Sequence, residues 1–215
     1  MITITAKIYI SDTEVIEVDR RNMLRIDRSI FDRSDLKLPS FGIISNTGSI
    51  EFKDNDGRVL QYAESLKSQA GQKCELWLNN TLIEGASERI GAFETDEWDY
   101  DSENFIVNVS IKDDLEEWQE INIEGINCDP SNTTATPLSD IYTHLWEKTN
   151  ANYPMKSLKE LDDLTKSVLT NTYLKYPLLE KGTLWQQWTK LCQVSQLHIY
   201  KNNEGIVSCR YNGGN

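Results

Sequence analysis

The chain has 215 residues, of which 39% are hydrophobic and 26% charged, and its formal net charge at pH 7 is -12. An acidic surface repels phosphate, which argues against nucleic-acid binding of the usual basic kind. No apolar run approaches the roughly 20 residues that span a bilayer, and the first residues lack the layout of a signal peptide, so we expect synthesis in the cytosol and no membrane contact.

Residues 1 to about 125 are predicted to be mainly strands. Apolar and polar residues alternate cleanly over 2–10, and again over 105–111, as expected for half-buried strands. Turn signals at Ser45–Gly48 and Asp54–Gly57 separate further short strands. The remaining predicted strands are 15–18, 49–53, 74–78, 81–84 and 89–93. Short helices are predicted near 60–67 and 114–119. Many short strands with regular turn signals favour an antiparallel β-barrel or sandwich.

Residues 126–215 have a different character and are predicted to form a second, α+β domain. A polar, turn-rich stretch at 127–136 is typical of a linker. Thr136 and Pro137 then predict the start of a helix near 137–149, and Ser157 with Glu160 predicts a capping box for a helix near 157–169.

The last part of the chain predicts a helix near 183–194 followed at once by a hairpin at 197–211. Thr183 and Gln186 form a capping-box pattern before one apolar helical stripe. That stripe contains Leu184, Trp185, Trp188, Leu191 and Cys192. The hairpin has a four-residue polar loop, Asn202–Gly205. A helix and hairpin of this kind pack against the rest of a domain and position it, and this one contains no group suited to catalysis.

The sequence predicts no enzyme activity and no catalytic, cofactor-binding or metal-binding residue. Its four cysteines, Cys74, Cys128, Cys192 and Cys209, stand far apart and are interpreted as buried free thiols. The two histidines, His144 and His198, have no partner at metal-ligand spacing. Asp54–Gly57 does not place oxygen ligands at the positions that a calcium loop requires.

The acidic segment Glu94–Glu103 is the strongest candidate for a function beyond folding. On an extended chain Asp96, Trp98 and Tyr100 face one way, and Glu97, Asp99 and Asp101 face the other. This predicts an aromatic face against the core and an acidic face in water.

Two functional alternatives for this segment stay open. A carbohydrate-binding or host-adhesion module would expose Trp98 and Tyr100 as a stacking platform. A glycosidase would use Glu94, Asp96 or Glu97 as its acid and base.

The order of elements resembles the tail-tip and baseplate hub proteins of tailed bacteriophages, in their N-terminal part. The strand Phe105–Ile111 runs into Lys112–Trp118, which is similar to the strand and "D-x-L-x-x-L" ending of the tail-tube-like barrel in these hubs. Gly42–Gly57 resembles early strands in hubs of phages with Gram-positive hosts. Leu184–Tyr211 resembles the small α+β domain that follows the first barrel.

The resemblance implies an α+β protein: a tail-tube-like antiparallel β-barrel at 1–125, then a small helical and α+β domain at 126–215. It implies a structural virion protein, assembled in the bacterial cytoplasm, that connects the tail tube or distal tail ring to the tip and helps close or line the DNA channel. Such hubs are homotrimers through which DNA passes without specific binding, and they need no cofactor. Each hub subunit supplies two barrels, so the resemblance implies either a piece of a longer hub or a shorter relative.

Overall fold

A computed structural model describes residues 2–31, 41–55, 57, 59, 71–80, 87–126, 135–175 and 180–212. The predicted helix at 60–67, the predicted strand at 81–84, residues 127–134 of the predicted linker, and Cys128 lie outside the described residues. The chain is mixed α+β and mostly sheet, with a few helices, as predicted. It divides into two compact units, which are described separately. The predicted domain boundary near residue 125 stays a prediction.

Unit 1 is built from Met1–Phe31, Asn46–Asp114 and Asn203–Gly205. Its strands are β1 (Ile2–Tyr9), β2 (Val15–Val18), β3 (Met23–Phe31), β4 (Gly42–Lys53, the part from Asn46 onward), β5 (Lys73–Asn80), β6 (Ser87–Asp101) and β7 (Ile106–Lys112). They pair in the order β3-β4-β7-β6-β5-β1-β2. The two end strands, β2 and β3, follow one another in the chain. Closure of this order into a tube-like barrel remains a prediction.

Alternation along the strands of unit 1 separates its core from its outer face. On β1, Ala6 and Ile8 are fully buried, whereas Lys7 and Tyr9 are partly exposed. β1 pairs with β2, with Ala6 opposite Val18. The core of the unit is aliphatic and aromatic, and includes Ile50, Phe52, Leu76, Phe93, Trp98, Val107, Val109 and Ile111. The period-2 pattern that predicted these strands is therefore the pattern that buries this core.

The predicted turn at Ser45–Gly48 is wrong, because β4 runs without interruption from Gly42 to Lys53. Asn46 supplied much of the turn signal, but its polar groups bond to a distant residue. Its backbone and side-chain N–H groups donate to Asp113 Oδ2 at 2.6 and 3.2 Å, and its carbonyl accepts from the Asp113 N–H at 2.9 Å. A tertiary partner thus satisfies the groups that would otherwise favour a local turn.

Phe105 was predicted to begin a strand, but it lies in the turn between β6 and β7. Its φ is 57°, in the left-handed region, and its side chain is 52% exposed. The turn is held by Asp101, whose Oδ1 accepts from the backbone N–H groups of Glu103 at 3.0 Å and Asn104 at 3.2 Å. Asn104 Nδ2 also donates to Asp101 Oδ2 at 2.7 Å. β7 therefore begins one residue later, at Ile106.

Unit 2 is built from Asp32–Ser45, Leu115–Asn202 and Ile206–Asn215. Its strands are β8 (Asn122–Glu124), β9 (Thr136–Pro137), β10 (Tyr173–Leu174), β11 (Lys181–Thr183), β12 (Leu197–Lys201) and β13 (Val207–Tyr211). Its helices are α1 (Leu138–Asn150), α2 (Asp163–Asn171), α3 (Leu184–Ser195), and the 3-10 helices Asp114–Gln119 and Leu158–Glu160. β12 and β13 form the antiparallel hairpin, and β12 pairs in parallel with Gly42–Ile44.

The capping patterns predicted at the starts of two helices had different outcomes. At α3 the predicted capping box is confirmed: Thr183 Oγ1 accepts from the Gln186 N–H at 3.2 Å, and Gln186 Oε1 accepts from the Thr183 N–H at 3.0 Å. At α1 the predicted Thr136 cap is wrong, because Thr136 and Pro137 pair with β10 and no side chain caps the helix.

The continuous helix predicted over 157–169 is also wrong. Ser157 makes no capping bond and only the short 3-10 helix Leu158–Glu160 follows it. Leu161 is extended and buried, and Asp162 caps α2 by accepting from the Thr165 N–H at 2.9 Å. Burying Leu161 in the extended conformation breaks the helix between the two capping positions.

The direct passage from α3 into β12 depends on Gln196, which has φ 57° and ψ 40°. A Cβ in this left-handed conformation costs roughly 1–2 kcal/mol, which glycine avoids. We therefore expect Gln196→Gly to raise the free energy of unfolding by about 1 kcal/mol, measured by urea denaturation. Gln196→Ala is the matched control, because it loses the same 3.3 Å contact with Tyr211 but keeps the Cβ. Equal stabilities of the two variants would contradict this reading.

Candidate functional site

From Glu97 onward, the acidic strand β6 presents its side chains as the alternation predicted. The prediction that Asp96 faces the core with Trp98 is wrong, because the pairing of β6 with β7 shifts register between Thr95 and Trp98, and Thr95 is buried while Asp96 is partly exposed. Trp98 is buried, 8% exposed, and its Nε1 donates to Gln72 Oε1 at 3.3 Å. Glu97, Asp99 and Asp101 are exposed. The alternative in which Trp98 and Tyr100 form an exposed stacking platform for sugars is therefore wrong. Trp98 belongs to the core of unit 1, and the partly buried Tyr100 packs against that core.

The three carboxylates of the glycosidase alternative do not share one environment. Asp96 Oδ1 forms an ion pair with Lys112 Nζ at 2.6 Å, and Glu97 is exposed. Glu94 lies in register between Lys73 on β5 and Lys112 on β7. The three carboxylates lie on an outer face of the sheet, and nothing in this arrangement favours acid and base catalysis.

A second cluster, on the outer face of β1, β5 and β6, is a network of ion pairs and hydrogen bonds around one carboxylate. At its centre Glu75 is 4% exposed although it points away from the apolar core. Its Oε1 accepts from Lys73 Nζ and Arg89 Nη1, both at 2.8 Å. Its Oε2 accepts from Tyr9 Oη at 2.8 Å and Trp77 Nε1 at 3.1 Å. Four donors from three strands thus converge on one carboxylate.

The pKa of Glu75 follows from this geometry. Burial alone would raise the pKa, but the hydrogen bonds from Lys73, Tyr9, Arg89 and Trp77 outweigh burial and lower the pKa to about 2. The carboxylate is therefore charged across the physiological range.

Two cation–π contacts complete the cluster. Lys73 Nζ lies 4.9 Å from the centre of the Tyr9 ring, and Lys7 Nζ lies 5.5 Å from the centre of the Trp77 ring. We call the five residues around Glu75 the basic-aromatic face. Its members are Lys7, Tyr9, Lys73, Trp77 and Arg89. Around it, Lys7 lies opposite Glu17 of β2, and Arg89 Nε donates to the Asn203 carbonyl at 2.8 Å.

Part of this face can be predicted from the alternation of residues along β5. Lys73, Glu75 and Trp77 occupy alternate positions on β5, opposite the buried Cys74 and Leu76. That alternation places them on one outer face, but the register with β1 and β6, which brings in Tyr9 and Arg89, is a property of the fold.

None of the described cysteines and histidines is a member of this face. Cys74, Cys192 and Cys209 are free and buried, as predicted, and burial raises the pKa of Cys74 to about 12. A thiol of such high pKa is a poor nucleophile at neutral pH. His144 Nε2 lies 3.1 Å from the Glu124 carbonyl, and His198 contacts the Phe41 ring. Among the described residues, no metal-capable side chains gather in groups of three or more, and no helix is long and apolar enough to cross a membrane.

Comparison with known proteins shows likeness at the level of fold. No protein-family model and no curated protein matches the sequence. The solved structure of a tail protein from Neisseria meningitidis MC58 superposes with a TM-score of 0.53 at 10% identity, covering 97% of this chain and 50% of that one. A prophage MuSo2 43 kDa tail protein from Shewanella oneidensis gives a TM-score of 0.49 at 10% identity, covering 99% and 56%. The chain spans about half the length of either protein, and its fold is similar to that part of the Neisseria tail protein.

Proposed function

We propose that the protein is a structural component of a bacteriophage tail, located in the tail tip or baseplate hub. The observation that carries this proposal is the fold match with the Neisseria tail protein, which extends over 97% of the chain and therefore involves both compact units. The resemblance in element order, from the β6–β7 strands to the closing helix and hairpin, supports the same assignment and favours the hub over other tail positions.

In this role the protein connects the tail tube or distal tail ring to the tip and helps close or line the DNA channel. Its subunits assemble as a homotrimer in the bacterial cytoplasm before incorporation into the virion. The net charge of -12 suits a surface past which DNA slides without adhering. We also propose that the protein acts without catalysis, since its exposed carboxylates form a sheet face and its described cysteines are buried.

The assignment is tested with assembled tail tubes of the phage or prophage that encodes the chain. Gold-tagged protein, viewed by negative-stain electron microscopy, is expected at one end of the tubes only. Binding along the sides of the tubes, or no binding at all, would remove the hub assignment. In parallel, the protein should release no sugar from host cell walls and should not retard duplex DNA in a gel at low salt. Turnover that Glu97→Gln abolishes would instead support the glycosidase alternative.

A further inference from the structure

We draw no further inference here: the strongest candidate, the exposed Phe105 ring among the carboxylates of the turn between β6 and β7, is an acidic cluster beside an exposed apolar side chain, and nothing in the part of the chain that the structure describes shows what covers it.

Discussion

Replacing Trp188 with alanine is expected to lower the free energy of unfolding by about 4 kcal/mol, within the range for buried Trp→Ala changes. Trp188 is 0% exposed at the centre of unit 2. Its ring stacks on the Trp118 ring, with 6.2 Å between the ring centroids, and contacts the Tyr142 ring edge-on, with 5.5 Å between the centroids. Its Nε1 donates to Thr149 Oγ1 at 3.0 Å. The substitution removes packing from α1 and from the 3-10 helix at Asp114–Gln119, and the surrounding side chains cannot fill the cavity.

Urea denaturation followed by far-UV circular dichroism measures this loss. Trp188→Phe keeps most of the apolar volume but loses the hydrogen bond, so its expected cost is smaller, about 2 kcal/mol. Trp185→Ala is the matched control on the same helix, because Trp185 is only partly buried. If Trp188→Ala lowers the free energy of unfolding no more than Trp185→Ala does, this ring cluster does not stabilise the unit.

Predictions from sequence were most reliable where the deciding interactions are local. The capping box of Thr183 and Gln186 lies within one helical turn, and both of its bonds form as predicted. The alternation along β6 likewise predicted that Trp98 packs inward and Asp99 faces water. In each case the residues that decide the structure are neighbours in the sequence.

Predictions failed where a distant partner competes with a local signal. Ser157 and Asp162 are both able to cap a helix, and the choice depends on tertiary contacts. Thr165, which donates to Asp162, also accepts from the backbone N–H of Tyr211, 46 residues away. Asn46 similarly bonds to Asp113 across 67 positions instead of forming a turn. A pattern within ten residues carries no information about such partners.

The basic-aromatic face was missed for the same reason. Alternation on β5 puts Glu75 outward, and an outward Glu is ordinarily a solvated residue. Its burial results from Tyr9, 66 residues before it, and Arg89, 14 residues after it. Strand order and register bring these residues together, so the sequence predicted the strands and their faces but not this site.

Glu75→Gln is expected to lower the free energy of unfolding by about 3 kcal/mol at pH 7. The native pKa of Glu75 is about 2, against an ordinary value of 4.5, and this difference corresponds to about 3 kcal/mol. Because the native pKa lies below the unfolded value, the contribution is complete above about pH 4.5. It is lost as the pH falls from there towards 2. An amide is neutral, so the variant lacks this contribution at every pH.

The pH dependence distinguishes this electrostatic contribution from simple misfit of the amide. Denaturation at several pH values should show the wild type and Glu75→Gln converging as the pH falls from 4.5 towards 2. Glu88→Gln, at an exposed position of the same strand β6, should match the wild type throughout. If the difference in free energy of unfolding between the wild type and Glu75→Gln stays constant with pH, the cause is misfit of the amide. The absence of any gap at pH 7 would mean that the four donors do not stabilise the fold through this carboxylate.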